Sequence, residues 1–136
     1  METIKPSVLV VEDYKLAQKM AEIILNQLNC HVDTADTGAQ ALELINKRNY
    51  DLIFMDLGLP DMDGLTVTET IRKLQGKNNL PIIALTAHTE SDVKDNCLNV
   101  GMNDIMGKPI SLEAAKEMLE KYTKKASTYS PPKIGY

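Results

Sequence analysis

The stretch Leu52-Ile53-Phe54-Met55-Asp56-Leu57-Gly58-Leu59-Pro60-Asp61-Met62-Asp63-Gly64 decides how this chain is read. Leu52 to Met55 is a short apolar run without polar alternation, the pattern of a strand buried on both faces. A carboxylate, Asp56, ends the run, and Gly58, Pro60 and Asp63-Gly64 then turn the chain. In open α/β sheets, ligands gather outside the carboxyl ends of the strands. Asp56 therefore stands where chemistry can occur. A lone aspartate after a strand more often starts a turn or caps a helix. The weight of the reading thus falls on what the other strand ends carry.

Working outward, Ser7-Val8-Leu9-Val10-Val11 is a second short run, and it stops at Glu12-Asp13. From there Leu16, Met20, Ile23, Ile24 and Leu28 share one helical face, expected to be the buried one. Cys30 to Ala35 has the length of a strand. Thr37 and Gln40 form a capping-box pattern for a helix that buries Ala41, Leu42 and Ile45. Beyond Asp56, Leu65 (or Gly64), Val67, Ile71 and Leu74 keep helical spacing until Gly76-Lys77-Asn78-Asn79 breaks it. Pro81 to Leu85 is a fourth buried strand, running out at Thr86-Ala87-His88. Thr89 and Asp92 are expected to cap a helix that carries Val93, Cys97 and Val100 and closes at Gly101. Asp104 to Gly107 is a fifth strand ending at Lys108-Pro109, and Ser111 caps a last helix with Leu112, Ala115, Leu119 and Tyr122. Five alternations of strand and helix at short intervals predict a parallel sheet with right-handed crossovers and helices on both faces.

A length of 136 residues suits one domain with a real core, and 43% hydrophobic with 25% charged residues is ordinary for a globular protein. The net charge of −4 offers no basic face, so direct nucleic-acid binding is not expected. No apolar run is long enough to span a bilayer, and Met1 to Pro6 lacks the design of a signal peptide. Cys30 and Cys97 have neither CxxC spacing nor a zinc-type cluster and are expected to be small buried hydrophobes. The chain reads as cytoplasmic. Residues 1–6 are expected to form an N-terminal extension, 7–124 the domain, and 125–136 a flexible tail or linker.

In a parallel sheet all the strand ends share one edge. Glu12 and Asp13, Asp56, Thr86 and Lys108 would then converge. Three acids together are costly unless a cation joins them. Mg²⁺, a hard ion taking carboxylate and phosphate oxygens, fits that need. A carboxylate beside such an ion can attack a phosphoryl group and form an acyl phosphate. Metal and lysine would neutralise the phosphoryl oxygens in the loose transition state, and a threonine hydroxyl could donate to one of them. Each residue alone has a plainer role as cap, first-turn acid or solvated lysine. Four strand ends carrying such residues at once make coincidence a poor explanation.

Val8-Leu9-Val10-Val11-Glu12-Asp13, the segment Asp56 to Gly64, Thr86-Ala87 and Lys108-Pro109 together resemble the receiver domain of two-component response regulators, over about residues 7 to 124. The resemblance implies a flavodoxin-like, doubly wound sheet of order 2-1-3-4-5. It implies Asp56 as phosphoacceptor, and Mg²⁺ (or Mn²⁺) held by Glu12, Asp13, Asp56 and the Gly58 carbonyl. It further implies Thr86 as a switch hydroxyl, Lys108 as the phosphate's ion pair, a cis Lys108-Pro109 peptide, and a domain that assists its own phosphorylation and dephosphorylation. Ala87, His88, Ile105 and Pro109 fall at switch or tuning positions, with His88 able to overhang the site.

Three features depart from the family pattern. Glu12 stands where an aspartate is common, Ile105 where an aromatic residue is typical, and Gly58 leaves one side of a phosphoryl group open to water. The Gly58 to Gly64 wording is similar to receivers of hybrid sensor histidine kinases, whose partner is a histidine-phosphotransfer protein or the kinase's own phosphohistidine. Two alternatives stand beside this reading. One is a degenerate receiver that only docks, which Ile105 favours. The other is a haloacid-dehalogenase-like phosphatase, for which the second aspartate two residues after the nucleophile is missing, Gly58 standing there.

Overall fold

The computed structural model describes residues 5–123. Its elements alternate without exception: β1 (Ser7–Val11), α1 (Lys15–Gln27), β2 (His31–Ala35), α2 (Gly38–Lys47), β3 (Leu52–Asp56), α3 (Gly64–Lys73), β4 (Ile82–Thr86), α4 (Ser91–Asn99), β5 (Asp104–Gly107) and α5 (Leu112–Tyr122). The strands form one parallel sheet in the order β2-β1-β3-β4-β5. This is the doubly wound architecture expected from the alternation and the resemblance.

The central strands are apolar throughout because both faces of the sheet are covered. Side chains alternate between the faces. Leu9, Val11, Ile53, Met55, Ile82 and Ala84 pack with Ala41, Ile45, Val67, Ile71 and Cys97 from α2, α3 and α4. Val8, Val10, Leu52, Phe54, Ile83 and Leu85 pack with Ala21, Leu25, Ala115 and Leu119 from α1 and α5. Both cysteines are buried and free, as expected. Each fully buried Leu, Ile or Phe contributes about 1.5–3 kcal/mol. These two layers hold the strand ends at the site in a fixed register.

That register makes the site. Val11 pairs with Met55, so Glu12 and Asp56 leave adjacent strands side by side. Thr86 pairs with Gly107, which places Lys108 just beyond. Local signals work as read at α2 and α5, and Asp63, expected only to turn the chain, also caps α3. Thr37 accepts the Gln40 amide at 3.0 Å while the Gln40 side chain accepts the Asp36 amide. Ser111 accepts from Ala114, and Asp63 accepts the Thr66 amide at 2.8 Å. Gly101, at φ 105°, follows α4 in the left-handed region that glycine tolerates.

Three expectations need correction. The buried side of α1 is Gln18, Ala21 and Leu25, followed by Leu28. Leu16, Met20 and Ile23 stand 59%, 41% and 48% exposed, and only Ile24 and Leu28 of the expected face pack inward. Two stripes fit the helical period equally well. The register that wins puts a polar residue, Gln18, on the inner side, where its amide donates to the Glu12 carbonyl and to Asp36 at 2.8 and 2.7 Å. In α4, Thr89 is not the cap: the helix starts after Glu90, and no side chain caps it. Strand β2 begins at His31 rather than Cys30, and Pro6, buried beside it, accepts the His31 amide through its carbonyl. The tail expected at 125–136 lies outside the described residues.

Candidate functional site

Glu12, Asp13 and Asp56 each bring a carboxylate oxygen to within 4.8 Å of the others. Glu12 and Asp56 are buried and Asp13 is exposed. Lys108 Nζ lies 3.1 Å from Glu12 Oε2 and 3.1 Å from Asp56 Oδ1, one ammonium serving two acids. The Gly58 amide donates to Asp56 Oδ1 at 3.2 Å. Local packing sets these positions. Gln18 holds the Glu12 carbonyl, while the Glu12 amide donates to Ala35. The start of α3 lies so close to β3 that a Cβ on Gly64 would collide with the Asp56 carbonyl oxygen. The Lys108 amide donates to the Thr86 carbonyl at 2.9 Å, and the Lys108-Pro109 peptide is cis, as the resemblance implied.

Three carboxylates and one ammonium leave an excess of negative charge. Burial pushes the Glu12 carboxyl up to about 7, with Asp56 adding to the rise and Lys108 opposing it. Burial also pulls Asp56 upward, but hydrogen bonds from Glu12, the Gly58 amide and Lys108 together outweigh it and hold Asp56 below its ordinary value. The pair therefore holds one proton up to near neutrality, Asp56 being its more acidic member. A divalent cation would replace the shared proton, and the oxygens are close enough together to serve one.

A cavity of about 530 Å³ opens over the cluster. Glu12, Asp13, Asp56, Gly58 and Lys108 line its polar end, and Leu16, Met20, Pro109 and Ile110 line its apolar wall. The misread stripe of α1 is thus the flank of the site. Met20, expected on the buried face of α1, belongs to this wall. The other residues singled out from the sequence stand apart. Thr86 is buried, and its hydroxyl accepts the His88 amide at 3.1 Å within its own loop. Ala87 and His88 are exposed, and His88 Nδ1 faces Glu90 at 3.7 Å instead of the cavity. Ile105 is half-buried and packs toward the α2–α4 layer. Gln18 is a positioning residue that hydrophobic periodicity does not reveal. Its spacing to Ala21, Leu25 and Leu28 was the signal, masked by its polarity.

The model of the response regulator receiver domain matches residues 8–120. The aerobic respiration control sensor protein ArcB of Escherichia coli is 40% identical over 117 residues, covering 85% of this chain and 15% of that protein. The signal transduction histidine-protein kinase BarA of the same species is 36% identical over 116 residues, covering 85% of this chain and 13% of its own. The chain thus spans about a sixth of the length of the curated relatives it matches. Among solved structures, the receiver domain of a sensor histidine kinase from Pseudomonas aeruginosa, with a magnesium ion coordinated in its active site cleft, superposes with TM-score 0.81 at 34% identity, covering 88% of this chain and 98% of that one. A chemotaxis response regulator of Vibrio cholerae gives TM-score 0.81 at 28% identity, covering 88% and 99%.

The chain belongs to the response-regulator receiver family, a family of signalling domains, and its sequence relatives include receivers carried by histidine kinases. This is not the dehalogenase-like phosphatase family weighed above. Among the described residues, no helix is long and apolar enough to cross a membrane.

Proposed function

We propose that this domain is the phosphoacceptor of a two-component phosphorelay and that Asp56 takes a phosphoryl group from a phosphohistidine. The observation that carries the reading is the charge arrangement. Asp56 lies at the mouth of the fold beside Lys108, the Gly58 amide and two further acids, and these donors hold its carboxyl below the ordinary value. An Asp56 oxygen attacks phosphorus, the P–N bond of the donor breaks, and the imidazole leaves with the electron pair and takes a proton. Glu12, Asp13, Asp56 and the Gly58 carbonyl would hold Mg²⁺, or Mn²⁺ in its place. When bound, the ion supplies charge neutralisation for the phosphoryl oxygens. Lys108 turns from the two acids toward the incoming phosphoryl oxygens. Thr86 exchanges its bond with the His88 amide for one to the phosphate, which drags the loop after β4 and switches the α4–β5–α5 side.

The cavity supports the same reading from the partner's side. A donor can approach Asp56 along the wall of Leu16, Met20, Pro109 and Ile110, a surface suited to the apolar flank of a histidine-bearing helix. The donor is a histidine-phosphotransfer protein or a kinase's own phosphohistidine domain, acting in the cytoplasm. Water enters past Gly58, where nothing lies within 4 Å of a Cβ position, so the domain also loses its phosphate unaided. The test is incubation with acetyl phosphate and Mg²⁺, followed by intact-mass measurement. Wild type gains one phosphoryl group and Asp56→Asn gains none. Stable incorporation into Asp56→Asn, or none into wild type, overturns the assignment.

A further inference from the structure

The loop joining β3 to α3 carries Gly58, and its tip is tied to a helix elsewhere in the fold. Asp61 Oδ1 accepts the Gly38 amide at 2.8 Å and Oδ2 accepts the Ala39 amide at 3.0 Å. These are the first two amides of α2, which have no carbonyl partner within the helix. The helix's own cap, Thr37, is already engaged with the Gln40 amide. An ionised carboxylate bridging two amides at a positive helix end is a strong form of this contact. Those two amides are also the main reason that the Asp61 carboxyl lies below its ordinary value.

The next residue packs where the tie is made. A Cβ on Gly38 would lie 2.6 Å from Met62 Cγ and 2.8 Å from Val67 Cγ2, so only glycine lets the loop settle this closely on α2. The rest of the loop shows why the tie matters. Leu59 is buried, and the Gly64 amide donates to the Leu57 carbonyl at 2.9 Å, closing the loop at its base. Asp63 is committed to capping α3. Gly58 and Pro60 are exposed, and Gly58 has open space around it. Among the described residues, Gly58 is therefore held by its neighbours in sequence and by its amide's bond to Asp56.

We infer that Asp61 is a positioning residue for the phosphoacceptor site: by gripping the first two amides of α2 it fixes the Gly58–Pro60 segment beside Asp56, and so sets the affinity for a divalent cation that it never touches. This rests on the phosphoacceptor reading, in which the Gly58 carbonyl is a ligand.

The test is Mg²⁺ titration followed by amide NMR, with hydrogen exchange at Gly38, Ala39 and Gly58, on wild type, Asp61→Ala, Asp61→Asn and Thr37→Ala. Asp61→Ala is expected to weaken Mg²⁺ binding roughly three- to tenfold, the range that the net worth of such a bond covers. Its Gly58 amide exchanges faster, while phosphorylation at saturating Mg²⁺ stays near wild type. Asp61→Asn, with one acceptor oxygen, falls between, and it carries the comparison alone should the alanine variant not fold. Thr37→Ala loosens the same helix end but leaves the grip, so its Mg²⁺ affinity stays at the wild-type value. Unchanged affinity in Asp61→Ala, or an equal loss in Thr37→Ala, overturns the inference while leaving the phosphoacceptor reading intact. A wild-type domain that binds no Mg²⁺ overturns both.

Discussion

The two ends of the sheet use the same acids in opposite ways. Where the strands begin, carboxylates are matched by donors. Asp51 accepts the Ser7 amide at 2.7 Å. Asp104 accepts the Ile105 amide at 2.9 Å, the Tyr122 hydroxyl at 2.8 Å and the Lys121 ammonium at 3.1 Å. Burial pulls Asp104 upward, but those donors outweigh it and hold it below its ordinary value. Where the strands end, Glu12 and Asp56 share one ammonium and Glu12 is pushed up to about 7. The first arrangement is complete as it stands and serves stability. The second lacks positive charge, and that unmet need marks the functional end better than a count of acids does.

The largest break in this contrast should come from Lys108→Ala. It strips the shared ammonium and leaves Glu12 and Asp56 facing each other. Removing one preorganised charge-stabilising group costs roughly 10²–10³ in rate, and a bound cation shares that load here. We therefore expect about a hundredfold slower phosphoryl uptake from acetyl phosphate at saturating Mg²⁺. A wild-type initial rate would show that Lys108 is only a partner of the resting acids.

Asp104→Ala should do the reverse. The side chain is nearly buried and accepts from Tyr122 and Lys121, but Lys121 is open to water and Tyr122 keeps the Asn103 carbonyl, so its loss costs about 0.5–1.5 kcal/mol of stability. Urea unfolding measures this, and the phosphorylation rate of the folded variant should match wild type. A variant that kept full stability but phosphorylated slowly would mean that the two ends are not separable.

How much of this was legible follows the same division. Buried parallel strands announce themselves as apolar runs, and the parallel register carries the residues at their ends to one edge. Glu12, Asp13, Asp56 and Lys108 were therefore readable together. The strand order came from family resemblance, because apolar runs alone do not say which strands are neighbours. The inner face of α1 was misread because Gln18 earns its place through hydrogen bonds to Glu12 and Asp36, which no hydrophobic period reports. Thr86 lies at its strand end as expected, but the resting turn of its hydroxyl toward His88 depends on a loop with no sequence signature. Asp61 escaped for a related reason: its partners are backbone amides 22 and 23 positions away, and any residue in a helix's first turn offers such amides.

The smallest effect, and the finest probe of the contrast, is protonic. Glu12 titrates near 7 in the folded domain against an ordinary 4.5, so between those values the folded state holds more proton than the unfolded one. Through this group stability falls as pH rises from about 4.5 to 7, the direction opposite to that of a salt-bridged acid. Asp56 and Asp104, both held low, act only in acid: their contribution is present above the ordinary 3.8 and is lost as pH falls through their folded values. Lys108, raised by Asp56 and Glu12 against burial, acts only in alkali, where its contribution is lost as pH climbs past 10.5. Near pH 6 a cation that binds the Glu12 carboxylate must displace its proton. Calorimetric Mg²⁺ titrations in buffers of different ionisation enthalpy should find proton release at pH 6 and almost none at pH 8.5. The apparent affinity should drop roughly thirtyfold between pH 8 and 5.5, about one decade per pH unit over the part of that range that lies below 7. Asp104→Ala should leave the proton count unchanged, since its end of the sheet has no shared proton to give up. Binding without proton release at pH 6 would mean that Glu12 is already ionised at rest, and the two ends would then differ in geometry alone.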